Sequence, residues 1–403
     1  MRVAGSYQYP TMESVIYGKP AAEALREEAE RLDARRVYLI VSRTLNTTTE
    51  EIEKIRKALG DRHAETFDGI PQHTTREVVV RVAKQAKDAK ADLVVAIGGG
   101  SVVDAAKIVL MCMEHEIFEQ DGLDGFETTP ERRIGPFRTP KVRMVAVPST
   151  LSGGEYNSGT LVTDTRRKLK QIFSHPMMMP RSIILDSSIT KYTPEKLWLG
   201  SGTRAMDHGI EAICSIRPNA LVDAVCLEGL RYLYAGLRRT RSNPDDKEAR
   251  LNCQLGSWLS AFGLQARVPM GASHAIGHVL GGTCEVPHYF CTAVMMPSVL
   301  RYNRSVHGSR SEVDRSGTRR TGPRCQRSLC GLYRGAWAAE TTRRGWRWRG
   351  PLRIDRQERN AVNFHSREPA TDPRAWRRRQ DTPARGLKTR VSQVEADFAS
   401  LAQ

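Results

Sequence analysis

Ala96-Ile-Gly-Gly-Gly-Ser-Val-Val-Asp-Ala-Ala-Lys107 is the stretch on which the reading of the fold turns. It follows the apolar run Leu93-Val94-Val95 and opens an apolar, helix-like segment that continues to Met113. A strand that runs into three glycines and then a helix turns backbone N–H groups and the positive helix end toward a phosphate. The glycines permit close backbone approach, Ser101 is placed to cap the helix, and Asp104 and Lys107 lie one turn apart on it. A tight turn with no ligand would read the same over these residues alone, so the flanking sequence decides.

Upstream, residues 20–34 have helical periodicity, with a proline suited to a first turn, and residues 37–41 read as a buried strand. Residues 48–59 form a helix candidate, 64–70 a short strand, 74–90 a helix, and 93–97 the strand entering the glycines. Apolar strands alternating with amphipathic helices imply a parallel sheet covered on both faces, with ligands at the carboxyl ends of its strands. Downstream, the strand at 143–147 enters Pro148-Ser-Thr-Leu-Ser-Gly-Gly-Glu155, a second polar, glycine-bearing loop. Two such loops can grip one dinucleotide. Residues 160–164 and 182–186 read as strands around the basic link Arg166-Arg-Lys-Leu-Lys170, a solvated hairpin rather than a phosphate clamp.

From residue 193 to about 303 the pattern turns helical. Arg204 and His208 stand at i, i+4, as do His274 and His278, and His288 follows ten residues later. Such pairs suit a zinc or iron site or a proton relay, although each histidine alone would as readily be structural.

Gly98-Gly-Gly-Ser-Val-Val-Asp-Ala-Ala-Lys107, Pro148-Ser-Thr150 and His274-Ala-Ile-Gly-His278-Val-Leu-Gly-Gly-Thr-Cys-Glu-Val-Pro-His288 together resemble the iron-containing alcohol dehydrogenase family, including its maleylacetate reductase branch. The resemblance runs from about residue 17 to residue 307. It implies an α/β architecture: an N-terminal Rossmann-like parallel-sheet domain that binds NAD(P)H, and a C-terminal all-helical domain, the fold shared with dehydroquinate synthase. It further implies an exchange of hydride between nicotinamide and a carbonyl or alcohol carbon. Gly98, Gly99, Gly100 and Ser101 would then contact the pyrophosphate, and Asp104, Ser149 and Thr150 would help to hold the cofactor. Lys170 matches a lysine near the nicotinamide ribose. His208, His274 and His288 fall on the family's metal-binding histidines, and His278 on the histidine near the nicotinamide.

Two departures matter. The family's metal site begins with aspartate four residues before its first histidine, where this chain has Arg204. A guanidinium only donates and is always charged, so it repels a divalent iron or zinc ion at contact range. Asp207, next to His208, is expected to point about 100° away on the helix. Arg204 can instead neutralise a substrate carboxylate or polarise the carbonyl beside His278, a reading that suits the maleylacetate reductase branch, which also lacks the aspartate and reduces a diacid. Pairing of Arg204 with Glu211 or Asp207 in a purely structural role stays open. In the second departure, Ser42-Arg43 stands where NAD users often place an acidic residue for the ribose, which points to tolerance of or preference for NADPH.

The net charge of +17 over 403 residues is concentrated. Residues 308–390 hold 21 Arg and one Lys against eight acidic residues, so +14 of the +17 lies there. The same segment has four of the six tryptophans but seven Leu, Ile, Val or Met, too few for amphipathic helices. A nucleic-acid-binding arm, gripping single strands through Arg and Trp, is the alternative function. A disordered tail is a second reading of the segment. A reading frame shifted near Gly308 is favoured: read one nucleotide later, residues 358–372 can spell an alanine-bearing helix end, seven residues and Asn-Pro-Arg, close to a C-terminal stretch of the family. The expected organisation is therefore 1–192 as the nucleotide domain, 193–307 as an incomplete helical catalytic domain, and 308–403 as an aberrant segment that leaves apolar helix faces uncovered and impairs activity. The eight cysteines form no CxxC pair, and there is neither an apolar signal core nor a run of about 18 apolar residues. A cytoplasmic enzyme acting on a small molecule is expected, without membrane or nucleic-acid partners; a homodimer stays open.

Overall fold

The computed structural model describes residue 7 and residues 9–303 apart from 72, 130, 133, 218 and 284–287; of the side chains in its last two helices, those of 278–283, 288, 293 and 294 lie outside the description. The segment 308–403, and with it the reading-frame and nucleic-acid readings, also lies outside the described residues.

The first part of the chain is a doubly covered sheet. In order it runs β1 (Ser14–Tyr17), α1 (Ala21–Arg31), β2 (Val37–Val41), α2 (Arg43–Thr48), α3 (Glu51–Leu59), β3 (His63–Phe67), α4 (Arg76–Asp88), β4 (Leu93–Gly98), α5 (Gly100–His115) and β5 (Arg143–Pro148). The hairpin β6 (Gly159–Asp164) and β7 (Leu169–Ser174) follows, then β8 (Ser182–Leu185). The main sheet is parallel throughout, in the order β1-β8-β5-β4-β2-β3. β2, β4 and β8 are buried at every position, which is why they read as unbroken apolar runs rather than alternations. One face packs Val79, Val82, Ile108 and Met144 into a core; the other packs Leu25, Leu39, Ile52 and Val147.

The helix expected at 48–59 is two helices. Thr47, Thr48 and Thr49 each turn their hydroxyl back onto the carbonyl four residues earlier, and Thr49 is extended, so the chain breaks between α2 and α3. The basic link is the hairpin turn, with Lys170 on β7 opposite Thr163, whereas β8 joins the main sheet.

Every described element after β8 is helical: α6 (Ser187–Thr190), α7 (Glu195–Ile213), α8 (Ala220–Ser242), α9 (Lys247–Ser260), α10 (Phe262–Gln265), α11 (Ala272–Thr283) and α12 (His288–Tyr302). α7 is buried at every position from Trp198 to Ile213, wrapped by α8, α9 and α12. The two halves are stitched at the carboxyl edge of the sheet. Thr193 Oγ1 donates to Ser149 O (2.7 Å), Ser257 Oγ to Leu151 O (3.2 Å) and Arg250 Nη1 to Thr190 O (2.8 Å). Among the described residues no helix is long and apolar enough to cross a membrane, and the five described cysteines are buried.

Candidate functional site

The cleft is built where β4 and β5 end side by side, Gly98 level with Pro148. Gly98 has φ +158°, and a Cβ there would come within 2.9 Å of Val102 and 3.2 Å of Ser42. Only glycine fits. A Cβ on Gly99 would stand 3.3 Å from Thr150, and one on Gly100 would stand 3.0 Å from Ser152, so the second loop lies directly over the first. Ser149 N–H donates to Gly98 O (2.9 Å), the last rung between the two strands. The N-terminus of α5, with its helix dipole, opens at this edge. The expected cap at Ser101 is not there: α5 starts at Gly100 with Gly99 as its N-cap, two residues earlier. Ser42 ends up against the cradle, its N–H on Ile97 O (2.8 Å), while Arg43 beside it is exposed and 4.0 Å from Asp68.

Beneath the cradle three titratable groups meet. Burial pushes Glu155 up to about 7 and Asp104 up to about 6, and pushes Lys107 down to about 8; the mutual attraction of the charges opposes each shift. Lys170 is likewise lowered by burial. The structure thus brings Gly98, Gly99, Gly100, Ser101, Asp104, Ser149, Thr150 and Ser42 to one sheet edge, with Lys170 on the neighbouring hairpin.

Across the cleft, α7 presents Arg204, Asp207, His208 and Glu211, spaced i, i+3, i+4 and i+7. That spacing is one stripe of a helix. Asp207 therefore shares the face of Arg204 and Glu211, contrary to the expectation drawn from its 100° offset to His208 alone. Glu211 reaches 60 residues ahead to the start of α11: its carboxylate accepts from the N–H groups of Gly271 (3.0 Å), Ser273 (2.8 Å) and His274 (3.4 Å), and its Oε2 lies 2.5 Å from His274 Nδ1. Asp207 Oδ2 is 2.9 Å from the same nitrogen. Two carboxylates beside one ring nitrogen share a proton with it, carried by the nitrogen or by Asp207. Burial and Arg204 press His274 toward neutrality, but Asp207 and Glu211 outweigh them and raise its pKa; burial raises that of Asp207, whereas Glu211 is held low by His274 and the amides despite its burial.

Arg204 Nη1 donates to Thr292 Oγ1 (2.5 Å) on α12 and lies 3.5 Å from Asp207. Among the described residues no partner takes its Nε or Nη2 protons. The rings of His208 and His274 lie 5.0 Å apart, and Gly153, at φ +74°, passes so close that a Cβ would touch the His208 ring at 3.0 Å. His278 stands one turn after His274 on α11 and His288 opens α12; their side chains lie outside the described residues.

Asp207, Glu211 and His274 offer ligand atoms within 4.8 Å of one another, a donor set consistent with a metal site. His274, its pKa raised by the two carboxylates, brings a proton to the same place, with the Arg204 guanidinium alongside. A divalent ion would have to displace that proton and stand beside Arg204. Sequence reasoning named Arg204, His208 and His274. It placed Glu211 and Asp207 only as partners for Arg204; a carboxylate one helical turn from each candidate was the available signal.

Known proteins give a consistent likeness. Residues 12–187 match the iron-containing alcohol dehydrogenases, and residues 199–316 match the C-terminal region of the same family. Maleylacetate reductase 1 of Rhodococcus opacus is 30% identical over 291 residues, 72% of each chain. Maleylacetate reductase 1 of Cupriavidus pinatubonensis is 28% identical over 289 residues, again 72% of each. Sulfoacetaldehyde reductase from Bifidobacterium kashiwanohense, solved with NAD+, superposes with a TM-score of 0.74 at 17% identity, covering 84% of this chain and 86% of that one, a likeness of fold.

Proposed function

The chain belongs to the iron-containing alcohol dehydrogenase family, and on that premise we propose that it is an NAD(P)H-dependent oxidoreductase that interconverts an alcohol and a carbonyl on a small, carboxylate-bearing substrate. The observation that carries this reading is Arg204. It is 6% exposed and anchored through Nη1, and among the described residues nothing accepts from its Nε/Nη2 edge. That edge is the bidentate face for a carboxylate. The same cation can stabilise negative charge growing on a carbonyl oxygen.

In this reading Gly98, Gly99, Gly100 and Ser101 hold the pyrophosphate at the α5 N-terminus, and Asp104, Ser149, Thr150, Ser42 and Lys170 position the rest of the cofactor. The nicotinamide supplies hydride. Arg204 orients the substrate and steadies the developing alkoxide, and His278 delivers its proton. Asp207 and Glu211 fix the ring of His274 and His208 flanks it. In this reading no step is assigned to a metal, because an ion among Asp207, Glu211 and His274 would stand beside the Arg204 guanidinium. His208, His274 and His288 are read here as site-lining residues rather than ligands.

The test compares NAD(P)H oxidation with maleylacetate, or another carbonyl acid, against an uncharged aldehyde. Arg204→Met should lower kcat/KM for the acid at least ~100-fold, about 2.7 kcal/mol, and leave the aldehyde less affected. Equal losses on both would remove the carboxylate role. Ser42 and Arg43 lead to NADPH turnover at least equal to NADH turnover, read from the two kcat/KM values; a strong NADH preference would assign the ribose contact to an acid such as Asp68.

A further inference from the structure

Lys107 lies on the second turn of α5, is 0% exposed, and is not a cofactor contact in the reading above. Its ammonium has three protons and three acceptors. Nζ donates to Gly154 O (2.6 Å), Gly159 O (2.8 Å) and Asn157 Oδ1 (3.3 Å), all on the segment that leaves the second glycine loop. A buried ammonium so completely coordinated is a fixed joint, since moving any one acceptor strands a proton in a medium that cannot solvate it.

What the joint fixes is a loop with four other attachments. Ser149 is hydrogen-bonded to Gly98, Thr150 and Ser152 lie over Gly99 and Gly100, and Leu151 takes a bond from Ser257 Oγ and gives one to Ser201 Oγ (3.1 Å). Gly153 then packs on His208, and Gly154 is seized by Lys107 from the helix that begins at the cradle. The loop thus spans from the phosphate edge to the histidine of α7, and among the described residues Lys107 is the one charged side chain that anchors it from the nucleotide side. Asn157 reinforces the arrangement by accepting from Gly159 N–H (2.8 Å) with the same oxygen.

We propose that Lys107 is a positioning residue for cofactor binding and hydride transfer: by gripping Gly154, Asn157 and Gly159 it sets the loop over the glycine cradle and against His208, so that the cofactor is held at a fixed distance from the α7 side chains. This rests on the nicotinamide reading above, and the measurements separate the two. NADH and NADPH binding is followed by fluorescence titration in the full-length wild type, Lys107→Met, Lys107→Arg and Asn157→Ala. Turnover with 4-deuterated cofactor gives the isotope effect.

Lys107→Met should weaken binding of the preferred cofactor about tenfold or more and change the isotope effect on kcat, with Lys107→Arg recovering part of the affinity. Asn157→Ala, which removes one acceptor of three, should move binding the same way by a smaller factor and supplies the answer if Lys107→Met does not fold. Wild-type affinity and isotope effect in a folded Lys107→Met, whatever its Tm, overturn the proposal, as does wild-type affinity in Asn157→Ala when Lys107→Met is unfolded. A wild type that binds cofactor but turns over no carbonyl substrate would instead count against the proposed reaction, and the affinities alone would then judge Lys107.

Discussion

Glu155 is 1% exposed, and its Oε2 has no hydrogen-bond partner, so its proton is worth more in the fold than outside it. Its folded pKa of about 7 exceeds the ordinary 4.5 because burial outweighs the pull of Lys107. A carboxyl raised in this way favours the folded state below pH 4.5, and that contribution is lost as pH rises through about 7. Denaturant midpoints measured from pH 5 to pH 8 should therefore fall for the wild type relative to Glu155→Gln, by up to about 3 kcal/mol. Parallel curves would show that Glu155 is ionised throughout. At this scale the sequence was legible at the three glycines, which end β4 and lie against the second loop. Glu155 and Lys107 sat inside recognised motifs, yet nothing in their spacing says that both are buried or that the lysine turns to the carbonyls of Gly154 and Gly159. Glu211 was harder still, since its partners are the amides of a helix start some 60 residues on.

Among elements, α7 shows how burial on every side trades pattern for position. A helix that is enclosed loses the apolar-polar alternation, and what remains informative is the i, i+3, i+4, i+7 row of Arg204, Asp207, His208 and Glu211. The strands were readable because β2, β4 and β5 are short apolar runs with turn residues behind them. β1, four residues only half buried, carried no such signal, and β8 looked like part of the hairpin because sequence neighbours usually pair. The α8–α9 contact depends on absent side chains. A Cβ on Gly236 would stand 2.8 Å from Ala249 O and 2.7 Å from Cys253 Sγ. Gly236→Ala should push the helices apart and destabilise the fold by about 1–3 kcal/mol, read as a lower Tm with cofactor contacts untouched. An unchanged Tm would mean that α9 can slide.

At the scale of the whole molecule, the fold class followed from alternation in the first half and helices in the second, and the cleft from both halves pointing chemistry at one sheet edge. The net charge bears little on the described fold, since most of it belongs to a segment outside the described residues. Arg204, Asp207, Glu211 and His274 make a group whose charges cancel when His274 is protonated, and still cancel if that proton passes to Asp207. Purified protein should accordingly carry less than ~0.1 equivalent of iron or zinc, and prolonged chelation should shift neither its Tm nor its turnover. One tightly held equivalent per chain would refute this. On the metal-free reading proposed above, the chain brings its own counter-charge and has no separate loading step: its active fraction is set when it folds, and starvation for iron or competition among cations in the cell leaves that fraction unchanged.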